Sequence, residues 1–306
     1  MSFERELQSA AYGGCVLKDE PMKNHTTFRV GGPADWYAAP VDEASLREVV
    51  RLCRRENVPY FILGNGSNLL VSDGGYRGVV IHSGVNLSGM EVREETDGVV
   101  IEAGSGALLA SIARRALKES LTGFEFAAGI PGTLGGALVM NAGAYGGEMK
   151  QVVRSARVFT RDGRTERIAA ADLDLSYRHS SIPNNQWIVL SAEIVLREGD
   201  PETIRETMDD LNGRRREKQP VEFPSAGSTF KRPEGYFAGK LIQDAGLRGF
   251  TVGGAQVSEK HCGFVINRGD ATAEDVLAVI RGVQKRVYED AGVQLEPEVM
   301  MLGFDR

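Results

Sequence analysis

Polar side chains that could do chemistry lie in three segments of the second half of the chain. Arg178 follows a tyrosine in SYRHS, Ser228 lies near two cations in AGSTFKR, and Glu298 follows a proline in LEPEV. A guanidinium can bind a carboxylate through paired hydrogen bonds, and a hydroxyl can donate a proton or cap a turn. The first two segments are therefore compatible with an anion-binding site, with surface decoration and turn capping as the alternatives, whereas LEPEV places two carboxylates on either side of a proline.

Backbone groups that could bind an anion lie in the loop at residues 64–68, GNGSN. The loop connects a strand predicted at residues 60–63 to a second apolar run at residues 69–71. Successive amides in such a loop can bind a diphosphate, with Ser67 and Asn68 as further donors. The alternative is a hairpin, because Asn65-Gly66 is a strong hairpin signal, and for this loop alone the hairpin is the preferred interpretation.

The longest glycine-rich segment, residues 123–147, has no charged residue from position 126 to its end. Pro131, Asn141 and the repeated glycines leave no apolar run long enough for a membrane helix, so we expect a buried but irregular backbone. The missing Cβ atoms allow a ligand or another backbone to approach closely. For the whole cluster a ligand is the preferred interpretation, and tight turns in an ordinary core are the alternative.

Several common site motifs are absent from the sequence. No serine lies in a G-x-S-x-G elbow, and no G-x-x-x-x-G-K-[ST] motif occurs, which argues against a serine hydrolase and a P-loop nucleotide hydrolase. Gly104-Ser105-Gly106 imitates a dinucleotide fingerprint after a predicted strand, but Leu109 occupies the position that needs a third small residue. The sequence therefore does not predict a Rossmann fold.

The elements that would position these groups follow from apolar spacing and capping residues. An amphipathic helix is predicted behind Asp42 because apolar residues recur at helical spacing, at Leu46, Val49, Val50 and Cys53. Strands are predicted at residues 99–103, 152–160 and 187–196. Helices are predicted at residues 108–117, from Pro201 to about 218, and at 238–245, where Gly246 is the expected stop. Thr272 and Gly292 are expected to bound a helix at residues 272–291.

Composition limits the class of protein. A chain of 306 residues predicts roughly two domains, and 37 glycines indicate an excess of turns and close backbone approaches. The net charge of −6 argues against a nucleic-acid surface. Cys15, Cys53 and Cys262 have no metal-binding spacing and favour reduced thiols. No cationic segment precedes an apolar one at the N-terminus, so we expect no signal peptide and a cytoplasmic protein.

The chain resembles the MurB family, the UDP-N-acetylenolpyruvoylglucosamine reductases, through segments that occur in order: NHTTFRVGG, LGNGSNLL, AAGIPGTLGGALVMNAGAYGGE, SYRHS, AGSTFK, AGLRGFTVGGAQVSEKHCGFVIN and LEPEV. The resemblance runs from about Asn24 to Gly303. It implies an α+β fold with a PCMH-type FAD-binding region of two α+β subdomains, at residues 1–85 and 86–212. A C-terminal α+β substrate-binding domain would follow at residues 213–306.

The resemblance also implies an activity and a mechanism. NADPH would reduce FAD, and hydride would then pass to C3 of the enolpyruvyl group of UDP-N-acetylglucosamine enolpyruvate, giving UDP-N-acetylmuramate for peptidoglycan synthesis. The family's catalytic positions map onto Arg178, Ser228 and Glu298. Arg178 and Glu298 would stabilise the negative charge at C2 and on the adjoining carboxylate, and Ser228 would protonate C2, with Lys231 easing formation of the alkoxide.

The remaining site positions are also carried over from the family. Those expected to bind the cofactor are Gly64, Asn65, Gly66, Ser67, Asn68, Leu69, Gly129, Ile130, Pro131, Gly132, Gly135, Gly136, Asn141, Gly143, Ala144, Tyr145 and Gly146. Those expected to bind the substrate are Tyr177, Lys231, Arg232, Lys240, Gln256, Ser258 and His261. No metal site is expected.

The sequence departs from some relatives at the substrate lid. These relatives insert a loop with a covering tyrosine after the YR segment, whereas no tyrosine lies between Arg178 and Ser228, so the chain resembles the shorter subtype. What covers the diphosphate is left open. The alternatives are a PCMH-type flavoprotein oxidase of another sugar and a non-catalytic nucleotide-sugar binding protein. We expect a monomer with no nucleic-acid or membrane partner.

Overall fold

The computed structural model describes residues 2–96 and 98–304, which form a mixed α and β architecture. The helices are α1 (Phe3–Ala10), α2 (Glu43–Arg55), α3 (Leu109–Lys118), α4 (Leu134–Val139), α5 (Pro201–Lys218), α6 (Ala238–Asp244) and α7 (Ala273–Ala291). The strands are β1 (Cys15–Pro21), β2 (Pro33–Ala39), β3 (Tyr60–Leu63), β4 (Leu69–Val71), β5 (Tyr76–His82), β6 (Met90–Glu95), β7 (Gly98–Gly104), β8 (Leu121–Thr122), β9 (Gly143–Ala144), β10 (Gly147–Glu148), β11 (Val153–Phe159), β12 (Thr165–Ala169), β13 (Ile188–Glu198), β14 (Thr251–Val252), β15 (Ala255–Val257), β16 (Val265–Asn267) and β17 (Met300–Leu302). Among the helices of these two ranges, none combines the length and apolar composition needed to cross a membrane.

The chain divides into two compact units, each built from separated segments. The first unit comprises Met1–Leu17, Trp36–Asn65 and Gly78–Arg214, and the second comprises Lys18–Asp35, Gly66–Arg77 and Arg215–Arg306. The chain passes from one unit to the other within β1, β2, β5 and α5, and also in the glycine loop between Asn65 and Gly66. The predicted division at residues 85 and 212 stays a prediction.

An antiparallel sheet, with the strand order β12-β11-β13-β7-β6, forms the larger part of the first unit. Ile101, Val158 and Ile194 from this sheet join Ile112 of α3 and Leu138 of α4 in one buried apolar cluster. The strands predicted at residues 99–103, 152–160 and 187–196 are confirmed to within two residues at each end. Their alternating or continuous apolar runs match a sheet with one or both faces buried.

Another sheet has the order β1-β2-β5-β3, and the part of it that belongs to the first unit packs against the apolar side of α2. Helix α2 starts as predicted at Asp42, whose carboxylate accepts a hydrogen bond from the Ser45 amide at 2.7 Å. The Ser45 hydroxyl accepts one from the Asp42 amide at 3.0 Å, which completes a capping box. Leu46 and Val50 of the helix are fully buried.

The second unit combines a sheet of order β14-β15-β16 with α6 and α7, and β4 pairs in parallel with β17. Helix α7 confirms the prediction at both ends, because Thr272 caps the amide of Asp275 and Gly292 adopts a left-handed φ of 68°. Val276, Val283 and Val287 form its buried side. The helix starting at Pro201 ends at Lys218 as expected, and α6 covers residues 238–244, one residue short of its predicted end.

The solvent side of the larger sheet carries an ion-pair network centred on Glu193. Only 5 % of this residue is exposed, and its carboxylate accepts hydrogen bonds from Arg154 Nε at 3.0 Å and Ser155 Oγ at 2.9 Å. Arg93 and Arg167 also contact it. Burial alone would raise the pKa of Glu193, but the hydrogen bonds from Arg167, Arg154, Ser155 and Arg93 together lower it to about 2.

We expect Glu193→Gln to lower the free energy of unfolding at pH 7 by roughly 3 kcal/mol, because a pKa change of one unit corresponds to about 1.4 kcal/mol. The folded-state pKa lies below the ordinary value of 4.5, so the stabilisation is present above that value and is lost as the pH falls toward 2. Urea unfolding at several pH values measures the difference, which should shrink below about pH 4.5. The matched Glu166→Gln variant removes an accessible ion pair with Arg164 and should change stability little. A deficit for Glu193→Gln that did not vary with pH would contradict this account.

Candidate functional site

The end of β3 meets the glycine-rich segment in the first unit. Asn65 Nδ2 donates to the carbonyl of Pro131 at 2.7 Å. A Cβ on Gly64 would lie 2.3 Å from Oγ1 of Thr133, so only glycine fits without displacing that side chain. Two predicted cofactor-binding segments, residues 64–65 and 129–136, are therefore adjacent.

Backbone donors remain available in both of these segments. Among the residues that the structure describes, no protein acceptor receives a hydrogen bond from the amides of Gly64, Asn65, Gly129 and Gly132. Inside a folded protein such amides usually have a partner, and the neighbouring glycines leave room for one to approach. The two segments can thus bind an oxygen-rich anion through their backbone.

The loop at residues 64–68 does not close a hairpin. β3 pairs in parallel with β5, with Leu63 opposite His82, and β4 pairs in parallel with β17. The hairpin interpretation preferred for this loop alone is therefore wrong. The physical reason is that each flanking strand takes a partner that is distant in sequence, so the local Asn-Gly signal does not decide the pairing.

The glycine-rich segment is more regular than predicted. It contains α4 and a small hairpin of β9 and β10, in which Gly143 lies opposite Glu148. Tyr145 and Gly146 form the turn with φ values of 54° and 89°, and a type I′ turn requires both to be positive. The expectation of an irregular backbone is wrong for these elements, because α4 is too short to show a helical period in the sequence.

Arg178 lies in a two-residue turn of the first unit. The amide and carbonyl of Ser176 exchange hydrogen bonds with those of His179 at 3.2 and 3.1 Å, so Tyr177 and Arg178 form the tip. Arg178 has a φ of 54°, a strained value for a large side chain. Its guanidinium lies 5.1 Å from the centre of the Tyr177 ring, and 52 % of Tyr177 is exposed. The turn presents both predicted side chains together.

In the second unit, the chain around Ser228 pairs with the segment that contains Glu298. The Glu298 amide donates to the carbonyl of Thr229 at 2.8 Å, and the Lys231 amide donates to the carbonyl of Glu296 at 2.9 Å. Ser228 is exposed, and Glu298 is half-buried. These antiparallel hydrogen bonds bring two predicted catalytic residues, far apart in sequence, into neighbouring positions.

Asn68 links the glycine loop to the same segment. Its Nδ2 donates to the carbonyl of Glu298 at 3.2 Å, and its carbonyl accepts from the amide of Met300 at 3.1 Å. The residues of the loop that belong to the second unit are thereby held beside Glu298. An asparagine expected to bind the cofactor also supports the backbone of a predicted catalytic residue.

The predicted cations of the second unit have protein partners. Lys231 Nζ lies 2.6 Å from Oε1 of Glu296, and Lys240 pairs with Asp244 one turn along α6. The Arg232 guanidinium lies 4.0 Å from the centre of the Phe237 ring, which is itself largely exposed. Lys231 is thus neutralised by a carboxylate, whereas its suggested effect on Ser228 stays a prediction.

Ser258 and His261 lie in one tight turn of the second unit. The Ser258 hydroxyl accepts hydrogen bonds from the amides of Lys260 and His261, and Nδ1 of His261 accepts from the Gly263 amide at 3.1 Å. Burial lowers the pKa of His261 below its ordinary 6.5, so the ring is neutral at pH 7. The carbonyl of Gly263 accepts from the amide of Thr229, which places this turn against the chain that carries Ser228.

Gln256 lies apart from that turn in its hydrogen bonding. Its Nε2 donates to Oγ1 of Thr251 at 3.0 Å, across the pair of strands β14 and β15. In the described residues, none of its side-chain hydrogen bonds reaches another predicted substrate-binding residue. The structure therefore groups Ser258 and His261 with Ser228 more closely than it groups Gln256.

Two protein-family models match separate parts of the chain. The FAD binding domain matches residues 34–169, and the C-terminal domain of UDP-N-acetylenolpyruvoylglucosamine reductase matches residues 219–302. The reductase of Agathobacter rectalis is 55 % identical over 94 % of this chain and 94 % of its own length. The chain belongs to the UDP-N-acetylenolpyruvoylglucosamine reductase family. The reductase of Clostridioides difficile is 53 % identical over 95 % of this chain and 94 % of its own length.

A solved UDP-N-acetylenolpyruvylglucosamine reductase, MurB from Thermus caldophilus, superposes with a TM-score of 0.78. It is 36 % identical and matches 94 % of this chain and 99 % of its own. The resemblance to the MurB family and the predicted fold class, a PCMH-type FAD-binding region with a C-terminal α+β domain, are confirmed. The roles predicted for individual residues of the present chain stay predictions.

Sequence reasoning missed two serines of the reductase beside the glycine-rich segment. The hydroxyls of Ser83 and Ser105 lie 2.6 Å apart and are buried. The Ser83 amide donates to the carbonyl of Leu63, and the Gly135 amide donates to the carbonyl of Ser105, both within 2.9 Å. Each serine follows a strand and precedes a glycine, which is the signal that could have identified them.

Thr27 is a further residue of the reductase that sequence reasoning left without a role. Its hydroxyl donates to the carbonyl of Ser225 at 2.6 Å, and its amide donates to the carbonyl of Gly66 at 3.1 Å. Thr27 therefore joins the second unit's part of the glycine loop to the segment leading to Ser228. Its position in NHTTFRVGG, one of the segments that carry the resemblance, was the available signal.

Proposed function

We propose that this protein catalyses the NADPH-dependent reduction of UDP-N-acetylglucosamine enolpyruvate to UDP-N-acetylmuramate, with FAD as its cofactor, in the synthesis of peptidoglycan precursors. The observation that carries this proposal is the 55 % identity, over 94 % of both chains, to a UDP-N-acetylenolpyruvoylglucosamine reductase. Two features of the structure support it. Arg178 has a strained backbone, and the segments that contain Ser228 and Glu298 are joined by hydrogen bonds.

The backbone of the first unit fits the negatively charged and polar parts of FAD. A Cβ on Gly64 would contact Thr133, and one on Gly135 would contact Ser105. The nearby backbone amides can donate hydrogen bonds to the cofactor. When bound, FAD supplies the hydride carrier between NADPH and C3 of the enolpyruvyl group. The amides of Gly64, Asn65, Gly129 and Gly132 would hold its diphosphate. The other predicted cofactor-binding residues, apart from Asn141, would line the remainder.

Arg178 would bind the carboxylate of the enolpyruvyl group. Its planar guanidinium can donate two parallel hydrogen bonds, which a lysine cannot reproduce. When C3 gains hydride, negative charge develops at C2 and on this carboxylate, and Arg178 and Glu298 stabilise that charge by electrostatics and hydrogen bonding. The strained φ of 54° at Arg178 is consistent with a side chain held in a functional direction.

Ser228 would donate the proton that completes the reduction at C2. The hydroxyl proton moves to the carbon, and the resulting alkoxide regains a proton from solvent, so one hydride and one proton are added across the double bond. Ser228 is exposed, and the backbone of the neighbouring Thr229 is held by hydrogen bonds to the backbones of Gly263 and Glu298. An anchored backbone beside an accessible hydroxyl suits this role.

The remaining predicted residues would bind the nucleotide sugar. Lys231, Arg232 and Lys240 supply positive charge for the diphosphate. A phosphate can replace the carboxylates that pair with Lys231 and Lys240 and the aromatic ring beside Arg232. Tyr177, Gln256, Ser258 and His261 would contact the sugar or base. We also propose a cytoplasmic monomer; the free thiols of Cys53 and Cys262 support a reducing compartment.

The visible absorption spectrum of the purified protein tests this function. We expect a yellow protein that bleaches on anaerobic addition of NADPH and regains colour when UDP-N-acetylglucosamine enolpyruvate is added. Bleaching without recovery by this substrate would favour a flavoprotein oxidase of another sugar. A colourless protein that cannot be reconstituted with FAD would favour a nucleotide-sugar binding protein without catalysis.

We expect Gly64→Ala to weaken FAD binding by at least about tenfold, because the new methyl group would have to displace Thr133 from the adjoining segment. Fluorescence titration of the apoprotein with FAD measures this. Gly213→Ala is the matched control, since a Cβ there meets no atom within 4 Å and Gly213 lies within α5. Equal FAD affinity of Gly64→Ala and the unmodified protein would argue against a cofactor site in this loop.

A further inference from the structure

Asn141 is fully buried, and its side chain is committed to protein groups. Nδ2 donates both to Oε2 of Glu148 and to the carbonyl of Ser176, each at 3.0 Å. Oδ1 accepts from the amide of Lys150 at 2.9 Å, and the exposed fraction of the residue is 0 %. A buried amide with three such partners fixes their positions relative to one another.

One of these partners begins the turn that carries Arg178. Ser176 closes the turn through its two hydrogen bonds with His179. On the other side of the turn, the Ser180 hydroxyl donates to the carbonyl of Val139 at 2.8 Å. Val139 is the last residue of α4, and Asn141 follows two positions later, so both sides of the turn are attached to the end of the same helix.

We propose that Asn141 is a positioning residue for the reductase reaction. It holds the Ser176 side of the turn, so that Arg178 keeps its strained backbone and presents its guanidinium to the substrate carboxylate. The inference rests on the proposed function, in which Arg178 binds that carboxylate. It gives Asn141 a role in the substrate half of the reaction, in contrast to the flavin contact that the family resemblance implies.

The chemistry of the position favours asparagine over its near relatives. Asn141 has a φ of 41°, which asparagine tolerates better than most residues. Its two amide hydrogens serve two oxygen acceptors, Glu148 and Ser176. An aspartate would offer no hydrogen to either acceptor at neutral pH and would place a second carboxylate beside Glu148.

The first test compares the two half-reactions of Asn141→Gly, a variant that permits the positive φ but removes the side chain. We expect reduction of the flavin by NADPH to stay within about threefold of the unmodified rate. Reoxidation by the enolpyruvyl substrate should slow by about 10- to 100-fold, because a displacement of roughly 1 Å can cost about 100-fold in rate. An equal slowing of both half-reactions would overturn the inference.

A double-mutant cycle asks whether Asn141 acts through Arg178. We expect the Asn141→Gly change to slow reoxidation by less than about twofold when Arg178 is already replaced by alanine. Residues that act through one another show such non-additive effects, whereas independent residues multiply. Multiplying effects would contradict a positioning role.

Ser180→Ala provides a milder variant if Asn141→Gly does not fold. It removes the hydroxyl bond to Val139 and should slow reoxidation several-fold with no change in flavin reduction. Ser181→Ala is the matched control, because the Ser181 hydroxyl bonds instead to the carbonyl of Asp172 and should leave both half-reactions unchanged. Identical behaviour of the two serine variants would count against the attachment of the turn to α4.

Amide hydrogen exchange gives a readout that does not depend on activity. In Asn141→Gly we expect faster exchange in peptides covering residues 174–181 and unchanged exchange in β13. Faster exchange throughout the first unit would indicate a general structural role and would overturn the inference. If the unmodified protein does not reduce the enolpyruvyl substrate, the proposed function fails, whereas this exchange result still reports on the turn.

Discussion

The Ser228→Ala protein is expected to be reduced by NADPH at close to the unmodified rate and to lose reoxidation by the enolpyruvyl substrate by about 10²- to 10⁴-fold. The reason is that hydride transfer to C3 needs a proton at C2 to complete the reaction, and alanine offers none. Stopped-flow absorbance of the flavin measures each half-reaction separately, under anaerobic conditions and with saturating substrate.

Ser225→Ala is the matched control for this variant. Ser225 lies in the same segment, and its carbonyl, which the substitution preserves, accepts the hydrogen bond from Thr27. We expect this control to keep both half-reactions within about threefold. If Ser228→Ala slowed flavin reduction as much as reoxidation, the segment would serve folding or cofactor binding, and the proton-donor role would be excluded.

Glu298→Ala is expected to lower the rate of reoxidation by about 10²- to 10³-fold, which is the usual effect of removing one group that stabilises charge in a transition state. The backbone of Glu298 is held by Thr229 and Asn68, so removal of the side chain should leave the segment in place. Reduction by NADPH should change little. The same stopped-flow measurement resolves the two steps.

Glu296→Ala separates this effect from a loss of negative charge. Glu296 lies on the other side of Pro297 and pairs with Lys231 at the surface, so its removal should cost less than about fivefold. Glu298→Gln then distinguishes a role in hydrogen bonding from a role as an acid, because a glutamine side chain can donate hydrogen bonds but cannot release a proton. Equal losses in Glu296→Ala and Glu298→Ala would refute a specific role for Glu298.

The secondary structure near capped termini could be predicted from the sequence because the determinants are local. Asp42 and Thr272 each start a helix through bonds to residues three positions ahead, and Gly292 ends one with a left-handed φ. Segments with several apolar, β-branched residues likewise indicated β11 and β13. In contrast, α4 and the β9–β10 hairpin were missed, since six- and two-residue elements are too short to show a period.

The candidate site was only partly visible in the sequence. The glycine loops and the segments around Arg178, Ser228 and Glu298 could be selected by residue type and by family resemblance. Ser83 and Ser105 could not be linked to them, because their contact joins the ends of strands that are separated in sequence. The same distance effect made the hairpin interpretation of residues 64–68 wrong.

The sequence by itself determined the family, the main helices and strands, and the residue types available for chemistry, because these depend on local spacing and on ordered motifs. Only the tertiary structure decided that the segment of Ser228 pairs with the segment of Glu298 and that Asn68 supports the latter. It also decided that Asn141 supports the Arg178 turn. Hydrogen bonds between such distant residues form when strand pairing and core burial bring the segments together. The spacing of residues within one segment of the chain does not predict these hydrogen bonds.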